Sequence, residues 1–516
     1  MSHAEQPCGL SGALADAARR HPERPALTIG EKTLAYAEVD AAVSALATSL
    51  VEEGIAPGDR VALWMPNVPQ FVIGYFGVLR AGGIVVPVNT LLGLNEVSYI
   101  LENSGAKAII VAHIFNDITA QLPSKVEALR RVIVWGEDGG RHAGLPLHDG
   151  SQALEFDALC ARAADPEALQ PTSGDDLAVI IYTSGTTGRP KGALLSHDNL
   201  LSNAAACARV IEVNANDRFL TVLPLFHSFG ATVCMILPMI LGAHSVLLPR
   251  FNPTEVLQAL SSYKITVFAG VPAMYGVLLN VRDLSGMDFA ALRLCVTGGA
   301  PCPPKFIAAF RERFGALLIE GYGPTEASPV VSVNPVHGGE KIGSTGPAIP
   351  DVELRIADDR GGWLPVGEVG EVCVRGPNVM RGYWQAPEAT AETIRDGWLF
   401  TGDMGRLDED GYLTIVDRKK DMIIVSGMNV YPREVEDVIY QLPAVGDCAV
   451  VGEPSERRGE DVKAFVVLKE GQTLNEEEVL EHCRQYLASF KLPRTVVFAQ
   501  DLPRSGTGKI LKRALR

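Results

Sequence analysis

The stretch that decides the fold, residues 51–89, reads VEEGIAPGDRVALWMPNVPQFVIGYFGVLRAGGIVVPVN. Its spacing predicts a strand over residues 60–65, a helix over 69–81 and a second strand over 84–87. Short apolar, β-branched strands on either side of a helix form a βαβ unit, whose two strands lie parallel in one sheet. Because both strands are apolar apart from Arg60 at the start of the first, both faces of the sheet are expected to be buried. The stretch therefore predicts an α/β fold.

The same alternation of apolar strand and amphipathic helix returns at residues 105–112, 263–279 and 292–315. From about residue 336 the chain changes to short alternating strands rich in Gly and Pro, which predicts a small β-barrel-like element. A charged RKKD cluster then precedes a compact α+β stretch. We therefore expect a large N-terminal domain of parallel-type α/β sheets at 1–416, with a β-rich subdomain at about 336–416. A small α+β C-terminal domain follows at 422–516, joined to it by residues 417–421.

Composition and sequence pattern disfavour several classes of protein. The 516 residues have a formal net charge of −15, which disfavours nucleic-acid binding because such proteins need a basic face. The nine cysteines include no C-x-x-C pair, which disfavours a zinc knuckle and favours free thiols in a reducing cytoplasm. The apolar stretch 229–248 is interrupted by Gly230, Pro238 and Gly242, so it predicts a buried helix, turn and strand rather than a transmembrane segment. The N-terminus lacks the apolar core of a signal peptide, and a cytoplasmic protein is expected.

Residues 180–192, IIYTSGTTGRPKG, are the strongest local indication of chemistry. An apolar strand runs into a loop of hydroxyls and glycines that ends at Lys191. Glycines allow backbone N–H groups to turn toward an anion, hydroxyls add donors, and lysine adds a positive charge. The loop therefore predicts a phosphate site. It is not a Walker A loop, because Arg189 and Pro190 separate Gly188 from Lys191.

With this loop the chain resembles the adenylate-forming superfamily of acyl-CoA synthetases, adenylation domains and luciferases, over nearly its whole length. Six further motifs follow in that family's order: LPLFHSFG (223–230), TGGAP (297–301), EGYGPTE (320–326), WLFTGD (398–403), DRKKDMIIVSGMNVYP (417–432) and PRSGTGK (503–509). The resemblance implies an acid–thiol ligase that uses ATP and Mg²⁺ to make acyl-AMP and pyrophosphate. The acyl group then passes to coenzyme A.

The resemblance also implies a set of ATP- and AMP-binding residues. They are Thr183, Ser184, Gly185, Thr186, Thr187, Gly188, Lys191, Gly298, Gly299, Ala300, Glu320, Gly321, Tyr322, Gly323, Thr325, Asp403 and Arg418. Segments 298–300 and 321–323 follow apolar strands, which is where α/β sheets bind ligands, and Tyr322 can stack on a base. Taken alone, each segment is equally typical of a tight strand-to-helix turn.

Two oxygen ligands for Mg²⁺ are implied by the resemblance, namely Thr186 and Glu326, and oxygen suits a hard cation that bridges phosphates. Asp403 is implied to accept both ribose hydroxyls, with Arg418 beside it. Without the resemblance, Thr325 and Glu326 are typical of a helix N-terminus, Asp403 of a turn and Arg418 of a solvated surface.

Four catalytic residues are implied: Lys509, His227, Thr325 and Glu326. The lysine is expected to neutralise the charge that builds as the carboxylate attacks the triphosphate, and the histidine to orient the acid. Taken alone, Lys509 suits a flexible basic tail and His227 a core histidine. The resemblance further implies a domain rotation about a hinge at Lys420. That rotation brings the coenzyme A segment, Ser426, Gly427 and Met428, to the site.

The acyl pocket is expected at His227, Phe229, Val233, Val271, Val296, Gly299 and Gly321. Val296 stands where hydroxycinnamate ligases have a lysine, so a partner for a phenol is missing, and no Arg or Lys occurs in these segments to bind a second carboxylate. We expect an apolar monocarboxylic acid, with a medium- or long-chain fatty acid favoured. An aryl acid, or a carrier protein as acceptor, is the alternative.

Two other classes of function compete with this interpretation. An NTPase or kinase would need a Gly-Lys-Ser/Thr loop or a kinase catalytic loop, and the sequence has neither. A non-catalytic ligand-binding protein is disfavoured because Lys191, Glu326, Asp403 and Lys509 are all present. The expected partners are therefore the acid, ATP and coenzyme A. A monomer or homodimer without nucleic acid is expected, and peripheral membrane contact is compatible with the sequence.

Overall fold

The computed structural model describes residues 9–136, 152–183, 190–455, 457–504 and 510–516. Its strands are β1 (Pro25–Ile29), β2 (Lys32–Ala35), β3 (Arg60–Trp64), β4 (Ile84–Pro87), β5 (Ala108–Ala112), β6 (Arg131–Trp135), β7 (Leu154–Glu155), β8 (Leu177–Thr183), β9 (Lys191–Ser196), β10 (Arg218–Thr221), β11 (His244–Leu247), β12 (Val267–Gly270), β13 (Leu294–Thr297), β14 (Leu317–Tyr322), β15 (Ser332–Val333), β16 (Glu353–Ala357), β17 (Gly370–Arg375), β18 (Gly382–Tyr383), β19 (Ile394–Arg395), β20 (Trp398–Leu407), β21 (Leu413–Arg418), β22 (Ile423–Val425), β23 (Met428–Val430), β24 (Val445–Ser455), β25 (Gly459–Leu468) and β26 (Thr495–Phe498). Its α-helices are α1 (Gly9–Arg20), α2 (Tyr36–Glu52), α3 (Pro69–Arg80), α4 (Leu94–Ser104), α5 (Asn116–Thr119), α6 (Phe156–Cys160), α7 (His197–Val210), α8 (Ser228–Ala231), α9 (Leu237–Leu241), α10 (Pro253–Ser262), α11 (Pro272–Asn280), α12 (Pro304–Phe314), α13 (Pro387–Thr393), α14 (Pro432–Ile439) and α15 (Glu476–Tyr486).

Two eight-stranded sheets form the larger part of the fold. The first has the order β15-β14-β13-β12-β10-β11-β1-β2, and its strands are parallel from β14 to β1. The second has the order β18-β9-β8-β4-β3-β5-β6-β7, and its strands are parallel from β8 to β7. The predicted α/β fold with parallel sheets is confirmed. The βαβ unit predicted at residues 60–87 is present as β3, α3 and β4, within one residue of the expected bounds.

The central strands of the second sheet are buried on both faces. Every residue of β4 and β5 is buried, as expected for parallel strands covered by helices on both sides. Trp64, at the end of β3, stacks on Phe115 with their ring centroids 4.1 Å apart. The apolar stretch 229–248 folds as α8, a π-turn at Thr232–Ile236, α9 and β11, so the predicted buried helix, turn and strand are confirmed. Within the described ranges, the structure contains no helix long and apolar enough to cross a membrane.

Two five-stranded sheets follow later in the chain. One has the order β16-β17-β20-β19 with β21 on β20, and the other has the order β23-β22-β25-β24 with β26 on β25. The chain divides into two compact units. Unit 1 comprises Met1–Ile342, Ala348–Glu353 and Arg375–Leu399; unit 2 comprises Gly343–Pro347, Leu354–Val374 and Phe400–Arg516. The domain boundary expected at residues 417–421 stays a prediction.

The described cysteines are free thiols, and all but the half-buried Cys160 are buried. Unit 1 contains Cys207, Cys234, Cys295 and Cys302, and unit 2 contains Cys373, Cys448 and Cys483. Burial raises the pKa of Cys207 and Cys234 to about 12 and that of Cys483 to about 11. Buried thiols with raised pKa values are unreactive, so these residues act as small apolar core side chains.

A buried carboxylate, Asp217, ties three strands of the first sheet together at their N-terminal ends. It accepts hydrogen bonds from Arg293 Nε and Nη2 at 3.0 and 2.9 Å, from Thr266 Oγ1 at 2.7 Å and from the Asn214 N–H at 2.9 Å. Asp217, Thr266 and Arg293 directly precede β10, β12 and β13, respectively, and Asn214 lies in the connection before β10. Burial would raise the pKa of Asp217, but the hydrogen bonds from Arg293, Asn214 and Thr266 outweigh it and lower the pKa.

Asp217→Asn is expected to lower the free energy of unfolding by about 2–3 kcal/mol at pH 7, because hydrogen bonds to a buried charge are lost. A lowered folded-state pKa gives stability that is present above the unfolded pKa of about 3.9 and is lost as pH falls through the folded value. The difference between variant and wild type should therefore shrink below about pH 4. Urea unfolding at pH 7 and pH 3.5 measures it. Asp288→Asn, which breaks an exposed ion pair with Lys264, is the control and should lower the free energy of unfolding far less, because solvent screens exposed pairs. Equal losses in the two variants would contradict the prediction.

Candidate active site

The predicted phosphate loop connects β8 and β9, which pair antiparallel with Thr183 opposite Lys191. Thr183 Oγ1 donates a hydrogen bond to the Lys191 carbonyl at 3.4 Å. The Lys191 Nζ atom lies 5.4 Å from the ring centroid of Tyr383. The loop residues Ser184, Gly185, Thr186, Thr187 and Gly188 lie outside the described residues, so their phosphate contacts, and the Mg²⁺ contact of Thr186, stay predictions.

Thr325 and Glu326 begin a single 3-10 turn, Thr325–Ala327, rather than a longer helix. The Thr325 hydroxyl lies 3.0 Å from the Ser228 hydroxyl. The Glu326 carboxylate, which is half-buried, accepts a hydrogen bond from the Tyr383 hydroxyl at 2.8 Å through Oε1. Partial burial, together with the neighbouring Glu326 carboxylate, raises the pKa of Tyr383. The phenol therefore stays protonated and is a donor at neutral pH.

The two glycine-rich segments are in contact, because a β-carbon on Gly298 would lie 3.2 Å from the Gly321 carbonyl oxygen. Gly299 has φ +77°, a left-handed conformation that favours glycine. One expectation was wrong in detail, since Gly321 and Tyr322 are the last two residues of β14 and do not follow it. The reason is that β15 pairs antiparallel with them and extends the strand.

Glu320 is buried, and its Oε1 accepts a hydrogen bond from the Cys302 N–H at 3.1 Å. Its carboxylate therefore joins β14 to the chain that follows Ala300. At Gly323, a β-carbon would lie 1.7 Å from the Pro329 carbonyl oxygen, so no side chain fits there. The nucleotide contacts expected of these residues stay predictions.

His227 directly precedes α8, and its Nδ1 accepts a hydrogen bond from the Phe229 N–H at 3.3 Å. When Nδ1 is an acceptor, the neutral imidazole has its proton on Nε2. Nδ1 of the ring therefore caps the start of α8. Nε2 remains as a donor that suits a carboxylate.

Four of the expected acyl-pocket residues lie next to Gly298 and Gly299, which follow β13. They are Phe229, Val271, Val296 and Gly321. The Phe229 ring lies 3.5 Å from the β-carbon position of Gly298, and Val271 Cγ1 lies 3.8 Å from that of Gly299, while Gly321 borders Gly298. Val296 lies on β13 just before these glycines, and Val233 lies in the π-turn; both are buried. The lining that these residues provide is apolar.

Three residues of unit 1 that the sequence analysis missed support the site. Ser228 and Tyr383 contact Thr325 and Glu326, as described above. Asn67, which is buried, donates from Nδ2 to the carbonyls of Leu223 and Leu248 at 2.9 and 3.3 Å and accepts from the Leu225 N–H at 3.0 Å. Asn67 thus fixes the segment that precedes His227. The only sequence signal is an Asn three residues after the end of the buried strand β3, and this signal does not indicate which residues it would contact.

In unit 2, Asp403 on β20 lies opposite Arg418 on β21, and Arg418 Nε is 3.2 Å from Asp403 Oδ1. Asp403 lies within a ten-residue strand, so its alternative interpretation as a turn residue is wrong. Glu371, which the sequence analysis missed, accepts hydrogen bonds from the Gly402 N–H at 2.9 Å and from Lys419 Nζ at 3.1 Å. The Asp403 and Arg418 pair is therefore held in a network of charged groups.

The expected hinge residue, Lys420, lies in a 3-10 turn, Lys419–Asp421, between β21 and β22. The expected coenzyme A segment forms the tight turn between β22 and β23, where Val425 pairs with Met428. Ser426 and Gly427 have φ values of +52° and +81°, as in a type I′ hairpin turn. Met428 is 41% exposed.

Lys509 lies outside the described residues, and its role stays a prediction. The chain is anchored on both sides of it within unit 2. Arg504 forms an ion pair with Asp447, and Lys512 Nζ lies 2.8 Å from the largely buried Glu436. Arg504 and Ile510 form an antiparallel bridge.

Comparison with known proteins agrees with this geometry. Residues 14–384 match the family described as AMP-binding enzyme, and residues 434–509 match the AMP-binding enzyme C-terminal domain. The chain is 38% identical to a long-chain-fatty-acid–CoA ligase of Bacillus subtilis, over 98% of this chain and 94% of the relative. It is 39% identical to a feruloyl-CoA synthase of Amycolatopsis sp, over 97% of this chain and 96% of the relative. The crystal structure of ATP-bound MatB from Rhodopseudomonas palustris superposes with a TM-score of 0.91 at 35% identity, covering 99% of this chain and 98% of that one.

Proposed function

Because this chain belongs to the AMP-binding enzyme family, we propose that it is an ATP-dependent acyl-CoA synthetase, an acid–thiol ligase that forms AMP. In the first half-reaction a substrate carboxylate attacks the α-phosphorus of ATP, which gives acyl-AMP and releases pyrophosphate. In the second, the thiol of coenzyme A attacks the acyl carbon, which gives the thioester and releases AMP. Neither step needs a covalent intermediate on the protein.

The substrate that we propose is an apolar monocarboxylic acid, with a medium- or long-chain fatty acid favoured. The observation that supports it is the apolar lining at Phe229, Val233, Val271 and Val296. The relatives named for a long-chain fatty acid and for ferulate are almost equally similar to this chain. The apolar lining is therefore the observation that favours the fatty acid over ferulate. A phenol in an apolar pocket without a hydrogen-bond partner costs binding free energy, and Val296 offers none. An aryl acid is the second candidate, supported by the feruloyl-CoA synthase similarity.

Five polar residues have a proposed task in the first half-reaction. His227 donates from Nε2 to the substrate carboxylate and orients it. Lys191 and the Thr325 hydroxyl bind phosphate oxygens, and Asp403 accepts the ribose hydroxyls. Lys509 stabilises the charge that develops on the α-phosphate during attack.

The donor set also fits Mg²⁺, which when bound would neutralise negative charge on the phosphates. Glu326 presents a carboxylate whose Oε1 is held by a neutral hydroxyl, so the negative charge remains available. Carboxylate and hydroxyl oxygens are the ligands that Mg²⁺ prefers. Glu326 is therefore the residue of unit 1 that we propose as its ligand, together with Thr186.

Glu326→Gln is expected to raise the Mg²⁺ concentration needed for half-maximal pyrophosphate release by about tenfold, because one anionic oxygen is lost while the side chain keeps its shape. Titration of the initial rate with Mg²⁺ at saturating ATP measures the shift. Glu312→Gln, on the far end of α12, is the control. Superimposable Mg²⁺ curves for Glu326→Gln and wild type would exclude the metal role.

We also propose a cytoplasmic location, supported by the free thiols of the described cysteines, which suit a reducing compartment. The oligomeric state, monomer or homodimer, stays a prediction.

A panel of straight-chain acids from C2 to C18, with benzoate, cinnamate and ferulate, tests the proposed function. Pyrophosphate release and acyl-CoA yield are measured for each acid, with and without coenzyme A. We expect acid-dependent pyrophosphate release, a preference for fatty acids over aryl acids, and thioester only when coenzyme A is present. If the enzyme prefers an aryl acid, the fatty-acid proposal is wrong and the second candidate substrate is correct. Orthophosphate release, or no release with any acid, would contradict the synthetase itself.

A further inference from the structure

We propose that Tyr383 is a positioning residue for the ATP–Mg²⁺ site, acting through the Glu326 carboxylate and the Lys191 ammonium group. This inference rests on the proposed function, because it assumes that the site binds ATP with Mg²⁺. No motif that was singled out in the sequence includes Tyr383. Its position follows from the contacts of β18 alone.

The backbone of Tyr383 is fixed from two sides. Tyr383 pairs with Ala193 in the antiparallel ladder between β18 and β9, the strand that begins at Lys191. The Tyr383 N–H donates a hydrogen bond to Thr390 Oγ1 at 2.9 Å, and the next residue, Trp384, donates to the Gly192 carbonyl at 2.7 Å. The ring therefore has a defined place beside the end of the phosphate loop.

The Tyr383 hydroxyl and the backbone of Met380, two residues before β18, hold Glu326 at two points. The hydroxyl donates to Glu326 Oε1 at 2.8 Å, and the Met380 N–H donates to the Glu326 carbonyl oxygen at 2.8 Å. A carboxylate has about four acceptor positions, so one donor orients it and leaves others for a metal. Because the donor is neutral, the carboxylate keeps its full charge, which a lysine or arginine partner would offset.

The face of the same ring lies next to the predicted phosphate-binding cation. Lys191 Nζ is 5.4 Å from the ring centroid, a distance at which an ammonium group is attracted to an aromatic face. One side chain therefore restrains a positive group through its ring and a negative group through its hydroxyl. Two substitutions can separate these contacts, since Tyr383→Phe removes only the hydroxyl and Tyr383→Leu removes the ring as well.

The experiment measures ATP affinity by calorimetry, without any acid, across a series of Mg²⁺ concentrations. For Tyr383→Phe we expect the midpoint of the Mg²⁺ dependence to rise about tenfold, as for other residues that orient a metal-binding carboxylate, while ATP affinity at saturating Mg²⁺ is unchanged. Tyr383→Leu should show the same midpoint shift and a further loss of ATP affinity of about two- to fivefold at saturating Mg²⁺. Tyr36→Phe removes a buried hydroxyl that donates to Pro238 and Ala243, far along the chain from these residues, and is the matched control.

A double-variant cycle separates positioning from general damage. If Tyr383 acts through Glu326, then adding Tyr383→Phe to Glu326→Gln should change the Mg²⁺ midpoint less than twofold. An unchanged midpoint in Tyr383→Phe alone, or full additivity in the double variant, would overturn the inference. Equal shifts in Tyr36→Phe would overturn it as well. The proposed synthetase activity can fail separately, because no acid turnover is needed here; a wild type whose ATP affinity ignores Mg²⁺ would overturn this inference even if acids were activated.

Discussion

Lys509→Ala is expected to slow acyl-adenylate formation by about 10²–10³-fold or more, because one preorganised charge is removed from the developing negative charge at the α-phosphate. The fold should be retained, since the chain on either side is held by the Arg504–Asp447 and Lys512–Glu436 ion pairs, which the substitution leaves in place. Conversion of pre-made acyl-adenylate to thioester should suffer far less. The two half-reactions are measured separately, by pyrophosphate release and by acyl-CoA yield from synthetic acyl-adenylate.

Lys469→Ala is the matched control for this prediction, because it removes an exposed lysine of the same unit that donates to the Pro443 carbonyl. It should leave both half-reactions within about twofold of wild type, as expected for a surface change. Equal losses in both half-reactions of Lys509→Ala would refute the assignment of the lysine to adenylation.

Lys420→Pro is expected to abolish most thioester formation while acyl-adenylate still forms. Proline fixes φ near −65° and restricts the residue before it, so a 3-10 turn that must change its dihedral angles between two states cannot do so. Under the proposed hinge, adenylation needs one arrangement of the chain, whereas thioester formation needs the turn at Gly427 to reach the adenylate. A pyrophosphate burst and the acyl-CoA yield are measured in one sample.

Lys420→Ala is the control for the hinge, because it removes the side chain and keeps the backbone free to rotate. It should retain most thioester formation. A parallel fall of both half-reactions in Lys420→Pro would mean damage to the site, and full activity would mean that no rotation about this residue is required.

Local pattern was enough to predict the strands and helices that build the sheets. The strand, helix and strand of residues 60–87 follow from apolar runs and turn residues that lie within a few positions of one another. The end of β14 could not be predicted in this way. Gly321 and Tyr322 belong to the strand because Val333 and Ser332 pair with them. The sequence of neither segment, taken alone, indicates that the two segments pair.

Candidate residues of the site could likewise be named where they lie in contiguous motifs, whereas the residues that hold them in place could not. Glu326 and Lys191 are visible as a carboxylate and a cation in glycine-rich segments. Tyr383 lies 57 residues from Glu326, and Asn67 lies 156 residues from Leu223. The contacts of a tyrosine or asparagine at such a distance in the sequence cannot be predicted before the fold is known.

The seven thiols that are buried in the described part of the chain can report when the core around each of them opens. Four lie in unit 1 and three in unit 2, and an alkylating reagent can reach a buried thiol only when the surrounding core opens. Pulses of such a reagent during gradual denaturation would leave a permanent mass tag on each cysteine at the moment of its exposure. Peptide mapping of the tags would then order the loss of the two cores in time, without an engineered probe in either unit.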